Sequence, residues 1–400
     1  MKAPLSALLL LVAGCVPLHR PPSSDAAPAA SSLHNRLLTL DTHLDTPLHF
    51  ARAGWSFGDR HDSSNDITQL DLPRMADGNL DGGFFVIYTA QGPLTPAGYA
   101  AARDFGLRRS DEIDSTIARF PGRIMAVRTA ADARRATAAG KLLAFKSMEN
   151  SYPLGEDLRL LAEFHRRGVR MAGPVHSNNN QFADSATDKP RWNGLSPLGE
   201  RWVAEMNRLG MVIDASHSSD ATFDRMLALS RTPMILSHSG SRTMFDHPRN
   251  LDDDRIRKLA AAGGAICVTS VYLSPMQLGP ARAALFAKLE EIGSLSPAEQ
   301  ADLTARWIAM DASERIWSAD FERFMAAVLH VIKVAGVDHV CFGADWDGGG
   351  GLAGLEDISA LPRVTARLKA AGYSDADLAK MWSGNVLGLL DRARSAATSK

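Results

Sequence analysis

His43 and Asp45 stand two residues apart at the end of the apolar run 37–45. On an extended chain both side chains then point to one side and can reach a single ion. Glu149 closes the run 141–150, His176 the run 168–177, His217 the run 210–218, His238 the run 233–240 and Asp345 the run 339–348. A lone His or Asp in such a place is normally a satisfied core residue or a cap. Here four of the twelve histidines and three acids take the same relative position in separate segments, while the other eight histidines do not. Imidazole and carboxylate donors without cysteine suit zinc, less often manganese or cobalt. Five candidate ligands are too many for one tetrahedral catalytic ion that keeps an open position; they fit two ions that share a carboxylate. Two metals about 3.5–4 Å apart can trap a water as hydroxide and polarise a scissile carbonyl.

The elements that must position these groups are regular. Eight short apolar runs recur at 37–45, 82–90, 141–150, 168–177, 210–218, 233–240, 264–270 and 339–348. Runs of this kind, separated by helical stretches, predict parallel strands buried on both faces. Helices are expected over Tyr99–Phe120, Asp157–Arg167, Pro197–Leu209 ended by Gly210, Asp220–Ser230 with Ser218, Ser219 or Asp220 as cap, and Asp254–Ala262. Eight strand–helix units predict an α/β fold, a (β/α)8 TIM-type barrel, more than an open sheet. The polar groups then share the C-terminal face, where barrel enzymes build their sites. The stretch 273–320 exceeds a connection and reads as one or two extra helices inserted over the mouth.

With 400 residues and 45% hydrophobic content, the chain can bury a large core. Lys plus Arg (44) nearly cancels Asp plus Glu (45), and no basic stripe points to nucleic acid. Residues 1–14 read as a signal peptide, with a positive start and an apolar run too short to span a bilayer. That run ends in Val12-Ala13-Gly14-Cys15, which resembles the bacterial lipobox and marks Cys15 as a lipidation site. Residues 15–34, rich in Pro, Ala and Ser, read as a tether, and 35–395 as one barrel. The expectation is an exported protein on the periplasmic side, held to a bacterial membrane by acyl chains. Cys267 and Cys341 lie in strand-like runs where a small hydrophobe fits. An exported protein could also pair them, and their spacing does not decide.

Taken in order, HLD, SMEN, HSNNNQFAD, DASHSS, ILSHS with a following Arg-Asn, FGADWDG and WSGNVLGLL resemble the membrane dipeptidase (renal dipeptidase) family of metallopeptidases, across roughly residues 35 to 390. The resemblance implies hydrolysis of a dipeptide to free amino acids, with two zinc ions per subunit and a hydroxide between them, and tolerance of a D-residue at the C-terminal position. It implies His43 and Asp45 on the first zinc, His217 and His238 on the second, and Glu149 as bridge. His176 would touch the substrate and stabilise its carbonyl oxygen, and Asp345 would move a proton to the leaving amine. Arg249 would grip the substrate's carboxylate, with Tyr272 as a further contact.

Asp347 is the alternative to Asp345, and Lys146 competes with Glu149, because related barrels bridge their metals with a carboxylated Lys. Those enzymes usually open with HxH, which favours Glu149 here. Ser147, Met148 and Asn150 stand where the family often has glycine, so a tighter pocket is expected. Two rival functions remain: another binuclear amidohydrolase acting on lactones, phosphoesters or N-acyl amino acids, and a lipoprotein that captures peptide or metal without turnover. The sequence leaves the oligomeric state open, a homodimer included.

Overall fold

A computed structural model describes residues 32–398. The expected signal peptide, Cys15 and most of the tether lie outside the described residues. Two residues of the stretch 15–34 expected to be a tether belong to the fold. Leu33 and His34 are buried, and His34 bonds Thr365 Oγ1 at 2.6 Å and the Gly78 carbonyl at 3.0 Å. The fold therefore already holds residues 33 and 34.

Each of the eight apolar runs supplies one strand: β1 Leu40–Leu44, β2 Gly82–Tyr88, β4 Leu142–Glu149, β5 Val169–Ala172, β6 Val212–Ile213, β7 Ile235–Ser239, β8 Ala265–Val268 and β9 Val340–Phe342. A short strand that the pattern did not announce, β3 Ile124–Ala126, pairs with the start of β4. The strands run parallel in the order β1-β2-β4-β5-β6 and β7-β8-β9. Parallel bridges from Asp214 to Ile235 and from Leu44 to Trp346 join the two arcs, so the sheet closes into a (β/α)8 ring. Buried inward residues such as Phe84, Phe145 and Met171 form one cluster with Val386 and Leu390 of the C-terminal helix Asn385–Thr398.

Local signals explain the helices. Ser196 caps Pro197–Leu209 by accepting from Gly199 N, and Gly210, at φ 71°, ends it in the left-handed conformation. Ser219 caps Asp220–Leu229 through Thr222 N. Cys267 and Cys341 are register partners on adjacent strands and are joined by a disulfide. The pairing that the sequence leaves open is present. The stretch 273–320 contains the helices Pro280–Leu289 and Pro297–Ser313, which pack Leu285, Ile292, Leu303 and Trp307 into a small core of their own. Among the described residues, no helix is long and apolar enough to cross a membrane.

Candidate metal centre and substrate cavity

The strand ends deliver their polar groups to one point. Glu149 closes β4, and its carboxylate sits among four imidazoles. Oε1 lies 2.8 Å from His217 Nε2, 3.4 Å from His238 Nε2 and 3.8 Å from His176 Nε2. Oε2 lies 3.4 Å from His43 Nε2, which is also 3.2 Å from Asp45 Oδ2 and 3.9 Å from Asp345 Oδ1. Residues from β1, β4 and β7 and from the segments after β1, β5, β6 and β9 thus converge within a few ångströms. The ligand atoms fall into three overlapping groups: His43, Glu149 and His238; Glu149, His176 and His217; His43, Asp45 and Asp345.

The donor set fits metal ions. His43 Nε2 is buried without a hydrogen-bond partner. His217 Nε2 and His238 Nε2 lie 2.8 Å apart. Two ring nitrogens that meet in this way beside a carboxylate are what cations between them would require. The electrostatics agree. Burial alone would lower the His43 imidazole, yet Glu149 and Asp45 beside it hold it well above its ordinary value. Burial, then His43 and neighbouring cationic groups, drives His238 well below its own. Burial would raise Glu149, but His43, His176 and His217 outweigh it and pull it well below the carboxylate range. Asp345 is pushed up to about 8, first by burial and then by the other carboxylates.

Backbone geometry at the rim is unusual. His217 (φ 67°), Asp345 (φ 68°), Asp347 (φ 66°), Asn150 (φ 65°) and Tyr272 (φ 52°) all sit in the left-handed region. Such conformations persist only where the surroundings over-determine them. Asn150 shows how. Its Nδ2 donates to Thr89 O at 3.0 Å, while its Oδ1 accepts from Tyr152 N and Asn180 Nδ2 at 3.1 and 3.0 Å. Asn thereby holds a turn that glycine would take without help.

The alternatives separate by geometry. Asp347 is occupied, with Oδ2 accepting from Thr46 Oγ1 at 2.6 Å and Oδ1 from Gln69 N at 2.6 Å. Asp345 faces the cavity beside His43. Lys146, three residues before Glu149 and so on the opposite face of β4, points outward and bonds Asp114 at 2.8 Å.

A cavity of about 180 Å³ lies above the cluster, lined by Asp45, Glu149, His176, His217, His238, Arg249, Tyr272 and Asp345. Met276, Phe286, Glu290 and Trp317, from the inserted stretch, form part of its wall. Arg249 is buried, its Nε has no hydrogen-bond partner, and its guanidinium stands 5.7 Å from the Tyr272 ring centre. Among the described residues no carboxylate pairs with it. Three groups near the centre carried too little sequence signal to be singled out. Asp214 and Ser237 lie inside the quoted strand ends DASHSS and ILSHS, and Tyr88 ends β2 with its ring 4.8 Å from that of His176.

The chain is similar to known proteins. The family model described as membrane dipeptidase (peptidase family M19) matches residues 28–400. The chain is 28% identical over 369 residues to dipeptidase tcpJ of Claviceps purpurea, covering 90% of this chain and 78% of that one. It is 30% identical over 338 residues to dipeptidase aclJ of Aspergillus oryzae, covering 83% and 71%. Among solved structures it superimposes on the probable dipeptidase PvdM from Pseudomonas aeruginosa with a TM-score of 0.79 and 31% identity, over 93% of this chain and 99% of that one. A metallopeptidase from Rhodobacter sphaeroides, liganded with a phosphinate mimic of the dipeptide L-Ala-D-Ala, matches with a TM-score of 0.71 and 26% identity, over 89% and 99%.

Proposed function

We infer that this chain, which belongs to the membrane dipeptidase family (peptidase family M19), is a metal-dependent dipeptidase whose centre takes two zinc ions around Glu149. One observation carries the reading: three buried imidazole Nε2 atoms, of His43, His217 and His238, converge within 3.4 Å of the two oxygens of a single carboxylate. His43 and Asp45 would hold one ion, His217 and His238 the other, and Glu149 both. Bound there, such a pair would polarise a carbonyl and lower the pKa of a water.

The remaining steps fall to side chains. Arg249, a buried cation facing the cavity, takes the free carboxylate of the substrate through its forked donors. The Tyr272 ring packs against that guanidinium and limits its movement. This anchor sets the length of the substrate on its C-terminal side. His176 lines the cavity next to Glu149 and stabilises charge that develops on the carbonyl oxygen. Asp345, whose burial makes its carboxyl ready to hold a proton, passes that proton to the leaving amine. A D-residue at the C-terminal position is tolerated in this reading, and the L-Ala-D-Ala mimic bound by the Rhodobacter relative supports it.

Metal analysis of the purified protein, with hydrolysis of a panel of mixed L- and D-dipeptides before and after chelation, tests the reading. Two zinc per chain and chelator-sensitive turnover are expected. Turnover of lactones, phosphoesters or N-acyl amino acids with no dipeptide cleavage would replace it, and binding of peptide without turnover would favour the capture lipoprotein.

Export and acylation at Cys15 form a second, independent proposal, supported by the Val12–Cys15 sequence and the Pro/Ala/Ser-rich stretch after it. Mass spectrometry of the mature N-terminus tests it, and an unmodified terminus beyond Cys15 would exclude it.

A further inference from the structure

Glu290 follows the inserted helix Pro280–Leu289 and lines the same cavity as Glu149, His176 and Arg249. It is half-buried. Among the described residues its carboxylate accepts one hydrogen bond, from the Tyr88 hydroxyl, 3.4 Å from Oε1. No Lys, Arg or His pairs with it among the described residues. A carboxylate thus stands without a cation over a cavity that already holds Glu149, Asp45 and Asp345. Burial, followed by repulsion from Glu149, Glu291 and Asp45, raises its carboxyl above the usual range even though the Tyr88 bond opposes this. A positive group placed there would relieve the repulsion.

The ring order says where that group comes from. Tyr88 ends β2, and Arg249 follows β7. In the closed order β1-β2-β4-β5-β6-β7-β8-β9, these two strands stand four places apart and face each other across the mouth. Tyr88 therefore enters the mouth from the wall opposite Arg249, Glu290 reaches Tyr88 from the inserted stretch, and Glu149 and its imidazoles line the same cavity. On the dipeptidase reading, a substrate held by its carboxylate at Arg249 and cut above Glu149 carries its N-terminal residue toward Tyr88 and Glu290.

We propose that Glu290, held by Tyr88, is the subsite for an ammonium group on the N-terminal residue of the substrate. This proposal rests on the dipeptidase reading for its orientation. The ammonium can be the free α-amine or the side chain of an N-terminal Lys; the chemistry that recognises both is the same.

Calorimetric binding of a phosphinate dipeptide mimic and its des-amino counterpart to the metal-loaded protein tests it without turnover. The wild type should bind the amino form at least about 10-fold tighter, as a charge-assisted contact predicts. Glu290→Gln should erase most of that preference and leave des-amino binding nearly unchanged. Hydrolysis of Ala-Ala and Lys-Ala by the same variant identifies the source: equal losses assign the α-amine, and a loss confined to Lys-Ala assigns the side chain. A preference that survives in Glu290→Gln overturns the subsite, and so does a wild type indifferent to the α-amine whose Lys-Ala hydrolysis is unchanged in Glu290→Gln. Failure of the wild type to cleave Ala-Ala would instead count against the dipeptidase reading.

Discussion

Ser237 Oγ lies 2.5 Å from Asp214 Oδ2 and, on its other side, 2.9 Å from His238 Nδ1. Asp214 Oδ1 already accepts from Ser216 N and Ser237 N, each at 3.0 Å, so this carboxylate acts as an acceptor. The hydroxyl's single proton goes to Asp214, and its oxygen is left to accept from His238 Nδ1–H. That arrangement turns the Nε2 lone pair of His238 toward Glu149. Asp214 and Ser237 are thus positioning residues for the candidate metal ligand His238. Ser237→Ala and Asp214→Asn should weaken metal binding by about 10- to 100-fold, with activity recovering in excess zinc. Chelator-competition titration checks this, and unchanged affinity in both variants would remove the relay.

The strands were readable because barrel strands are buried on both faces and so write themselves as unbroken apolar runs. The misses have physical causes. The helix Ala130–Ala138 buries Ala130, Ala133 and Ala136, which are too small to form an apolar stripe among its charges. β3 spans three residues, too few for a period. The candidate His and acid ligands stand out because they are costly at strand ends, whereas Asp214 and Ser237 resemble ordinary turn residues until β6 and β7 are placed side by side. The Cys267–Cys341 bond depends on the register of β8 against β9, and the approach of Glu290 depends on how the insertion folds back. Neither is a local property.

Glu149 is the single group shared by every imidazole of the centre. Glu149→Gln keeps the shape and removes the charge, so it should abolish detectable dipeptide hydrolysis and lower the bound zinc. Metal content after gel filtration, read beside turnover, checks this. Full occupancy with normal turnover would refute the shared-ligand assignment.

Arg249 has no carboxylate partner of its own within the described fold, so its charge is available to a ligand. Arg249→Ala should raise KM for free dipeptides by about 10- to 100-fold, the worth of a charge-assisted pair, with a smaller change in kcat. The rise should vanish for dipeptide amides, which lack the carboxylate. An equal rise on both substrate types would assign Arg249 to the structure of the wall.

His34 couples the fold to pH away from the metal centre. Its Nε2–H donates to Gly78 O and its Nδ1 accepts from Thr365, so the neutral ring satisfies both atoms. Burial drives its pKa down to about 4, although the Gly78 bond opposes this. The unfolded chain, with an ordinary value near 6.5, then binds the proton more readily than the folded one. The stabilisation is present above pH 6.5 and is lost as pH falls toward 4, up to about 3 kcal/mol. Urea unfolding in chelator between pH 7 and 4.5 should show a steeper loss in wild type than in His34→Gln. Parallel profiles would show that His34 titrates normally.

Gly348 sets the positions of two carboxylates at once. A Cβ built there would occupy the space of Asp45 Oδ2 and Asp345 Oδ1. Its backbone is not in the left-handed region, so space, not conformation, demands glycine. Asp45 approaches His43 at 3.2 Å and Asp345 approaches it at 3.9 Å, which means that one methyl group displaces the proposed metal donor and the proposed proton carrier together. Gly348→Ala should therefore fold normally, as the residue lies in a loop at the barrel mouth, yet lose about 100-fold in kcat, the cost of a misplacement near 1 Å. Its zinc affinity should fall as well. Circular dichroism, zinc titration and kcat on one dipeptide separate these effects. A variant with wild-type kcat and affinity would show that both carboxylates can swing aside, and that their placement is not what the glycine protects.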